Sequence, residues 1–192
     1  MTFNSKQHYR RSIRMKGYDY TSVGAYFVTI CTHQRECILG RIEEGVVLLS
    51  DSGRIIEHTW RRLPWFFTSI ELDAFVVMPN HIHGIVSIVG AKQRAASQIS
   101  THADAAALPL QRGSVPQSLS AIIQNFKSVS TKKINVLRHT PSEIIWQRNF
   151  YEHIVRTING ERELIAIRKY ITDNPMQWEL DSENPLKQHS KP

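Results

Sequence analysis

Cysteine is scarce in this chain, with only Cys31 and Cys37 among 192 residues. Two cysteines cannot form the set of bridges that stabilises small secreted domains, so we do not expect a disulfide-rich fold. His33 lies between them and suggests a zinc site, but no fourth ligand is evident near these three residues. A structural zinc site is therefore the weaker interpretation of this segment.

Long apolar runs are also missing. No stretch approaches the roughly 20 residues that span a membrane, and residues 1–20 are polar and basic, unlike a signal peptide. We therefore expect no membrane segment and a cytoplasmic location. The hydrophobic content of 41% is enough for a buried core, and the length suits one domain with an insertion.

Acidic residues are fewer than basic ones, 17 against 24, which gives a formal net charge of +7. This excess favours a polyanionic partner, with nucleic acid ahead of a membrane surface. Residues 1–22 form a basic arm in which cations alternate with tyrosines, a pattern that suits phosphates and stacked bases, although a solvated tail is the alternative. The candidate DNA contacts of the arm are Arg10, Arg11, Arg14 and Lys16.

The order of the predicted elements indicates an α+β fold. Periodicity and turn residues predict strands at residues 25–32, 70–77, 81–89 and 144–147, a hairpin at 38–49, and helices at 51–63, 118–138 and 160–173. This order predicts a ferredoxin-like, or RRM-like, antiparallel sheet with helices on one face and an additional C-terminal helix. The domain covers residues 23–178, with a flexible insertion loop at 90–117 and a C-terminal tail at 179–192.

Further cations are candidates for contact with a phosphate backbone. Three of them lie off the apolar stripe of the 118–138 helix, and two follow in the C-terminal third of the chain, although a solvated face is the ordinary role of such residues. These five candidates are Lys127, Lys132, Lys133, Arg148 and Arg156.

The central motif is a pair of histidines, His81 and His83, at the start of a predicted strand. Side chains two apart on a strand leave the same face, so both imidazoles project together while Ile82 points into the core. Imidazole is the commonest metal ligand of proteins, and two parallel imidazoles provide half of a metal site. Taken alone, such a pair is more often an ordinary surface feature than a ligand pair.

A second polar pair, Tyr170 and Asn174, ends the last predicted helix. Residues four apart share a helix face, with Cβ atoms about 5–6 Å apart. A phenol and a carboxamide oxygen can therefore approach one point. If that point lies beside His81 and His83, three of the four groups can hold a divalent cation and the phenol can attack a bound substrate.

Three sequence blocks resemble those of a known family. They are Met-Pro-Asn-His-Ile-His-Gly at residues 78–84, Trp-Gln-Arg-Asn-Phe-Tyr-Glu-His at 146–153, and Tyr-Ile-Thr-Asp-Asn-Pro at 170–175. Together with residues 10–14 and 24–29, they resemble the single-tyrosine HUH transposases, and within these the REP-associated tyrosine transposases. The blocks occur in the family's order over most of residues 10–178.

The resemblance implies a reaction and a set of residue roles. Tyr170 would be the nucleophile, and His81, His83 and Asn174 would bind Mg²⁺ or Mn²⁺. Members of the family cut and rejoin single-stranded DNA at palindromic, hairpin-forming elements through a 5′-phosphotyrosine intermediate. The resemblance further implies a nucleoid-associated bacterial protein that acts as a monomer or a homodimer.

Two other functions stay open at this stage. One is a non-catalytic or domesticated module that binds structured single strands through basic and stacking residues. The other is a metal hydrolase that uses water, for which Asp73 is the best available base. Tyr151 is a rival nucleophile, but position 155, where a paired amide would stand, is Val. We interpret Tyr151 and Trp146 as packing residues, with His153 more structural than functional.

Overall fold

The computed structural model describes residues 18–89, 115–155 and 160–185. The four cations predicted in the N-terminal arm, nearly all of the 90–117 loop, and Arg156 lie outside the described residues. Within the described part of the chain, no helix is both long enough and apolar enough to cross a membrane.

One four-stranded antiparallel sheet organises the chain. Its strands are β1 (Gly24–Cys31), β4 (Ile70–Val77), β5 (His81–Ile88) and β6 (Tyr151–Val155), arranged in the order β4-β5-β1-β6. A separate hairpin consists of β2 (Gly40–Glu43) and β3 (Val46–Leu49). With helices between β1 and β4 and between β5 and β6, this order is the ferredoxin-like arrangement, and the predicted fold class is confirmed.

Two long helices cover one face of the sheet. They are α1 (Asp51–Arg61) and α3 (Leu119–Arg138), and the short α2 (Leu63–Phe66) follows α1. Ser50 and Ser118 cap the long helices, because each hydroxyl accepts a hydrogen bond from a backbone N–H three residues later. The main core lies between these helices and the alternate side chains of β1 and β5, among them Ile30 and Ile82.

The last helix, α4 (Gly160–Asp173), continues into a 3₁₀ segment at Asn174–Leu180 and packs on the opposite face. A small apolar cluster of Phe27, Ile85 and Ile171 fixes α4 to the sheet. Two polar contacts hold its flanks. Arg168 pairs with Asp73 of β4 at 2.6 Å, and Glu163 pairs with His153 of β6 at 2.6 Å. The helix is therefore attached to both edge strands.

One strand prediction is wrong. Residues 144–147 form only an isolated bridge, Thr32 opposite Trp146, and the strand that completes the sheet is β6. The reason is that Ile145 and Trp146 are both buried, and the Trp146 indole donates to the Ser130 hydroxyl of α3 at 2.9 Å. The apolar run therefore supplies core contacts, and β6 makes the backbone pairing with β1.

Candidate active site

The paired imidazoles begin β5 and face α4. His81 and His83 are 0% and 3% exposed, and their Nε2 atoms are 3.0 Å apart. Ile82 between them belongs to the main core on the other side of the sheet. The period of two along the strand thus brings the two ring nitrogens to one buried point, as the spacing predicted.

The Asn80 amide fixes the protonation of His81. Its Nδ2 donates to two backbone carbonyls, those of Arg35 at 3.0 Å and Glu183 at 2.8 Å. The amide oxygen therefore faces His81 Nδ1 at 2.9 Å and accepts its hydrogen. Because Nδ1 carries the proton, the lone pair of His81 lies on Nε2 and is directed at the point shared with His83.

His83 is held from two sides. Its Nδ1 lies 2.8 Å from the Thr29 hydroxyl, which can accept the ring hydrogen. Its ring stacks on Phe27, with centroids 5.4 Å apart and an interplanar angle of 27°. Thr29 stands opposite His83 in the sheet, so β1 supplies the support for the second imidazole.

Burial keeps both imidazoles neutral. It lowers the pKa of His81 to about 3, with a smaller effect of the Arg35 charge in the same direction. Burial also lowers the pKa of His83 to about 3, where neighbouring His81 adds to the effect and Asp181 opposes it. Neutral rings with free lone pairs are the form in which histidine binds metals.

Acidification is expected to weaken the fold through these two histidines. An unfolded histidine titrates near pH 6.5, whereas both folded rings stay neutral down to about pH 3. The unfolded state therefore binds more protons between these values, so stability falls as the pH drops below 6.5. The expected loss at pH 5 is about 2 kcal/mol for each histidine. Urea unfolding of chelator-treated protein at pH 7.5 and pH 5 measures this loss.

Variants separate this effect from the titration of other groups. His83→Gln should remove about half of the acid-induced loss, because one of the two buried rings is gone. The matched control is His58→Gln, since His58 lies exposed on α1 and its replacement should leave the loss unchanged. Equal pH dependence in His83→Gln and the parent chain would contradict the explanation.

The end of α4 brings two further groups to the imidazoles. The Tyr170 hydroxyl lies 3.3 Å from His83 Nε2, and the ring centroids of the two residues are 5.2 Å apart. Asn174, one turn later, is 3% exposed, and its Oδ1 is buried without a hydrogen-bond partner among the described residues. Tyr170 therefore contacts an imidazole of its own chain, and Asn174 is connected to it by a hydrogen bond to the Tyr170 hydroxyl.

Asp181 is a further polar neighbour of the imidazoles, and no sequence pattern predicted it. Its Oδ2 lies 3.6 Å from His81 Nε2, its side chain is 5% exposed, and this oxygen has no hydrogen-bond partner in the described part of the chain. The ligand atoms of His81, His83 and Asp181 all lie within 4.8 Å of one another. Asp181 belongs to the stretch predicted as a tail, and no periodic pattern connects it to the histidines.

Glu183 anchors the turn that carries Asp181. Its carboxylate pairs with Arg35 at 2.8 Å and accepts the Cys31 thiol hydrogen at 3.3 Å, while its carbonyl accepts from Asn80. Burial, with Glu183 adding to it, raises the pKa of Cys31 to about 12. Cys31 is thus a protonated hydrogen-bond donor in this setting. The zinc site considered for Cys31, His33 and Cys37 gains no support from these contacts.

The hydroxyl of Tyr170 is held in its protonated form. Burial raises the pKa of Tyr170 above its usual range, and the Asp181 carboxylate adds to this. A hydrogen bond from the Asn174 side chain acts in the opposite direction, because it stabilises the phenolate. A nearby positive charge would oppose this rise in the pKa, and a lower pKa is what a phenol needs in order to act as a nucleophile.

The donor set fits a divalent cation. Two ligands at adjacent positions of an octahedral ion with bonds of about 2.1 Å stand about 3.0 Å apart, and the two Nε2 atoms are 3.0 Å apart. The Asp181 carboxylate oxygen lies within 4.8 Å of both imidazole ligand atoms, and the carboxamide oxygen of Asn174 is also buried without a partner among the described residues, so each is available as an oxygen ligand. A mixed set of two imidazoles and two oxygens suits first-row metals such as Mn²⁺ and also accommodates Mg²⁺.

Four of the predicted DNA contacts, Lys127, Lys132, Lys133 and Arg148, lie in the part of the chain that the structure describes, and the three lysines are on the helix layer away from this site. Lys127 of α3 donates its ammonium to three loop carbonyls, those of residues 147 at 2.8 Å, 148 at 3.4 Å and 149 at 2.9 Å. Its donors are thus committed, and a phosphate contact for Lys127 is not supported. Lys132 and Lys133 are exposed on the helix layer across the sheet from the imidazoles. Arg148 is exposed on the loop that Lys127 holds.

The structure also places the residues that the sequence offered as packing groups or as an alternative base. Trp146 is buried as predicted, but Tyr151 is 52% exposed, so the packing role predicted for Tyr151 is wrong. Asp73 accepts three hydrogen bonds from the Arg168 guanidinium, and this contact lowers the pKa of its carboxyl. Asp73 is therefore a poor base, which weakens the hydrolase hypothesis. His153 links β6 to α4 through Glu163.

Comparisons with known proteins agree with this architecture. No family model matches the chain. An uncharacterized protein of Haemophilus influenzae is 39% identical over 181 residues, covering 93% of this chain and 95% of that protein. A solved REP-associated tyrosine transposase, bound to a REP hairpin, aligns with a TM-score of 0.53 and 19% identity over 86% of this chain and 74% of its own. The chain belongs to the family of the Haemophilus protein and has the fold of a REP-associated tyrosine transposase, which confirms the resemblance at the level of the fold.

Proposed function

We propose that this protein is a metal-dependent transposase of the single-tyrosine HUH class, which cuts and rejoins single-stranded DNA. The observation that carries the proposal is the approach of the Tyr170 hydroxyl to His83 Nε2 at 3.3 Å, beside a second imidazole and the partnerless carboxylate oxygen of Asp181. A phenol next to a preformed set of metal ligands fits nucleophilic attack on a phosphodiester.

Four side chains would bind the cation. His81 and His83 donate their Nε2 lone pairs, Asn174 donates its carboxamide oxygen, and Asp181 adds a carboxylate oxygen. The cation, Mg²⁺ or Mn²⁺, would polarise the scissile phosphate and stabilise the charge that develops on its oxygens. Asn80 and Thr29 keep the two imidazoles in the orientation that directs the lone pairs to one point.

Tyr170 would carry the covalent step. Its oxygen attacks phosphorus in line, the phosphorus–O3′ bond breaks, and the strand leaves with a 3′-hydroxyl while the 5′ end stays on the tyrosine. The phenolic proton passes to water on the open side of the side chain, which is 45% exposed, and the departing 3′ oxygen takes a proton from water to become the hydroxyl. One ester replaces another, so rejoining by the reverse attack of a 3′-hydroxyl needs no nucleotide triphosphate.

The substrate proposed here is single-stranded DNA that contains a hairpin-forming palindrome. The REP hairpin bound by the structural relative supports this choice, and so does the net charge of +7. Lys132, Lys133 and Arg148 remain proposed phosphate contacts, together with the cations outside the described residues. Because Tyr170 approaches its own chain's histidines, we propose that one copy holds a complete site, whether the protein is a monomer or a homodimer.

Covalent capture of DNA tests the proposal. End-labelled single strands carrying a hairpin are incubated with the protein and Mn²⁺ or Mg²⁺, then denatured and separated by electrophoresis. We expect a labelled protein–DNA adduct that withstands denaturation and is absent when a chelator replaces the cation. Binding that is insensitive to chelator, with no adduct or cleavage under either cation, would instead favour the non-catalytic or domesticated binding module.

Asn80→Ala is expected to weaken metal binding without removing a ligand. The variant leaves His81 free to rotate and to protonate either nitrogen, and the loss of such a hydrogen bond costs about 10- to 100-fold in metal affinity. Calorimetric titration with Mn²⁺ measures the change in affinity. Asn135→Ala is the control. Asn135 lies on α3, across the sheet from the imidazoles, and its side chain also donates to a backbone carbonyl, that of Glu143. Unchanged Mn²⁺ affinity in Asn80→Ala would show that the amide does not orient the ring.

A further inference from the structure

Tyr151 is the one aromatic side chain of its sequence block that remains largely open to solvent. Trp146 is 5% exposed and Phe150 packs against the main core, whereas Tyr151 is 52% exposed. The exposed part of the Tyr151 ring is open for stacking on another ring, beyond the edge contact that it makes with Phe27.

The sheet places Tyr151 in line with the candidate metal ligands. Thr29 of β1 stands opposite His83 on one side and opposite Tyr151 on the other, so all three side chains leave the same face. Adjacent strands lie about 4.8 Å apart, which puts the Tyr151 backbone about 10 Å from that of His83. The ring thus lies beside the reactive centre without belonging to its ligand set.

Phe27 joins the aromatic rings of this face. Its centroid is 5.4 Å from His83, 6.0 Å from Tyr170 and 6.3 Å from Tyr151. Phe27 is 8% exposed, so it forms the floor between the two tyrosines, which are both about half exposed. A strand whose phosphate lies at Tyr170 would therefore pass over an aromatic surface toward Tyr151.

We propose that Tyr151 is a stacking platform for an unpaired nucleobase adjacent to the scissile phosphate. The inference rests on the proposed function and adds a subsite to it. An exposed aromatic face stacks on any base, and only an unpaired base presents a free face, so the platform selects a single strand at the cleavage position. The ring holds the strand in place and takes no part in the chemistry.

The position of Tyr151 argues against its acting as the nucleophile. The Tyr170 hydroxyl contacts His83, whereas the Tyr151 ring contacts Phe27, which in turn stacks on that histidine. A stacking platform requires the aromatic ring, whereas a nucleophile requires the hydroxyl. Tyr151→Phe therefore distinguishes the two roles, because it keeps the ring and removes the hydroxyl.

The experiment measures stacking directly and without cleavage. Hairpin-bearing single strands carry 2-aminopurine at successive unpaired positions, and its fluorescence, which stacking quenches, is recorded with the full chain in the presence of chelator. We expect quenching at one position beside the cut. Tyr151→Ala should remove this quenching and weaken strand binding by about 5- to 150-fold. Tyr151→Phe should retain both, and Trp65→Ala, which removes an exposed aromatic ring from α2, should change neither.

The outcomes separate the subsite from the proposed chemistry. Quenching that persists in Tyr151→Ala, or that is lost equally in Tyr151→Phe, would overturn the platform even if the parent chain forms an adduct. Quenching that depends on the Tyr151 ring, in a protein that forms no adduct with any cation, would preserve the subsite and refute the transposase reaction. Thermal unfolding of each variant verifies that the sheet is intact.

Discussion

Tyr170→Phe is expected to abolish the covalent adduct while leaving hairpin binding within about twofold of the parent chain. The substitution removes one oxygen from a side chain whose ring contacts with Phe27 and His83 remain. Without the hydroxyl no ester to the 5′ phosphate can form, so adduct formation should fall by at least about 10³-fold. Denaturing electrophoresis measures the adduct, and fluorescence anisotropy in chelator measures binding.

Tyr151→Phe is the matched control for this result. It removes a hydroxyl from the other half-exposed tyrosine of the same face, and the adduct should form at nearly the parent rate. If Tyr170→Phe still becomes attached to the cleaved strand, the nucleophile is another residue. Loss of the adduct in both variants would instead assign part of the chemistry to Tyr151.

His83→Gln is also expected to reduce adduct formation, because it removes a proposed ligand of the cation. His83 contacts the other imidazole, the Thr29 hydroxyl and the Tyr170 hydroxyl, so this one side chain joins three parts of the site. Changing the partner of a ligand costs about 10- to 100-fold in metal affinity, and removing the ligand itself should cost at least as much. Calorimetric titration with Mn²⁺ and the adduct assay at one fixed, sub-saturating Mn²⁺ concentration both measure the effect.

His58→Gln serves as control for this substitution as well. His58 is exposed on α1, across the sheet from the site, and its replacement should leave Mn²⁺ affinity and adduct formation unchanged. Glutamine approximates the volume of the ring and limits the cavity that a smaller residue would leave in a buried position. Full cleavage by His83→Gln at ordinary Mn²⁺ concentrations would remove His83 from the ligand set.

Local patterns in the sequence were sufficient for part of the site. The spacing of His81 and His83 predicts a shared face, and the separation of Tyr170 and Asn174 predicts a shared helix surface; the structure has both arrangements. Neither pattern predicts that α4 packs over β5. That docking depends on Ile171 packing on Phe27 and Ile85, which are distant in sequence.

Two features of the structure could not be predicted from such local patterns. Asp181 follows a proline-containing 3₁₀ segment, and its position depends on the contacts of Glu183 with Arg35 and Asn80, which no periodicity encodes. The prediction of a strand at 144–147 was wrong because consecutive apolar residues predict burial without specifying backbone pairing. In both cases long-range contacts decide the local structure.

The three hydrogen bonds of Lys127 have a consequence for the geometry of the whole site. They hold the backbone just before β6, a strand of only five residues at the sheet edge. A slip of this strand by one position would turn Tyr151 and His153 to the opposite face and direct the Glu152 carboxylate toward the face of the proposed metal site. The ammonium of Lys127 thus fixes the register of β6 and keeps a negative charge off the face proposed to bind DNA, although Lys127 itself lies on the far side of the sheet.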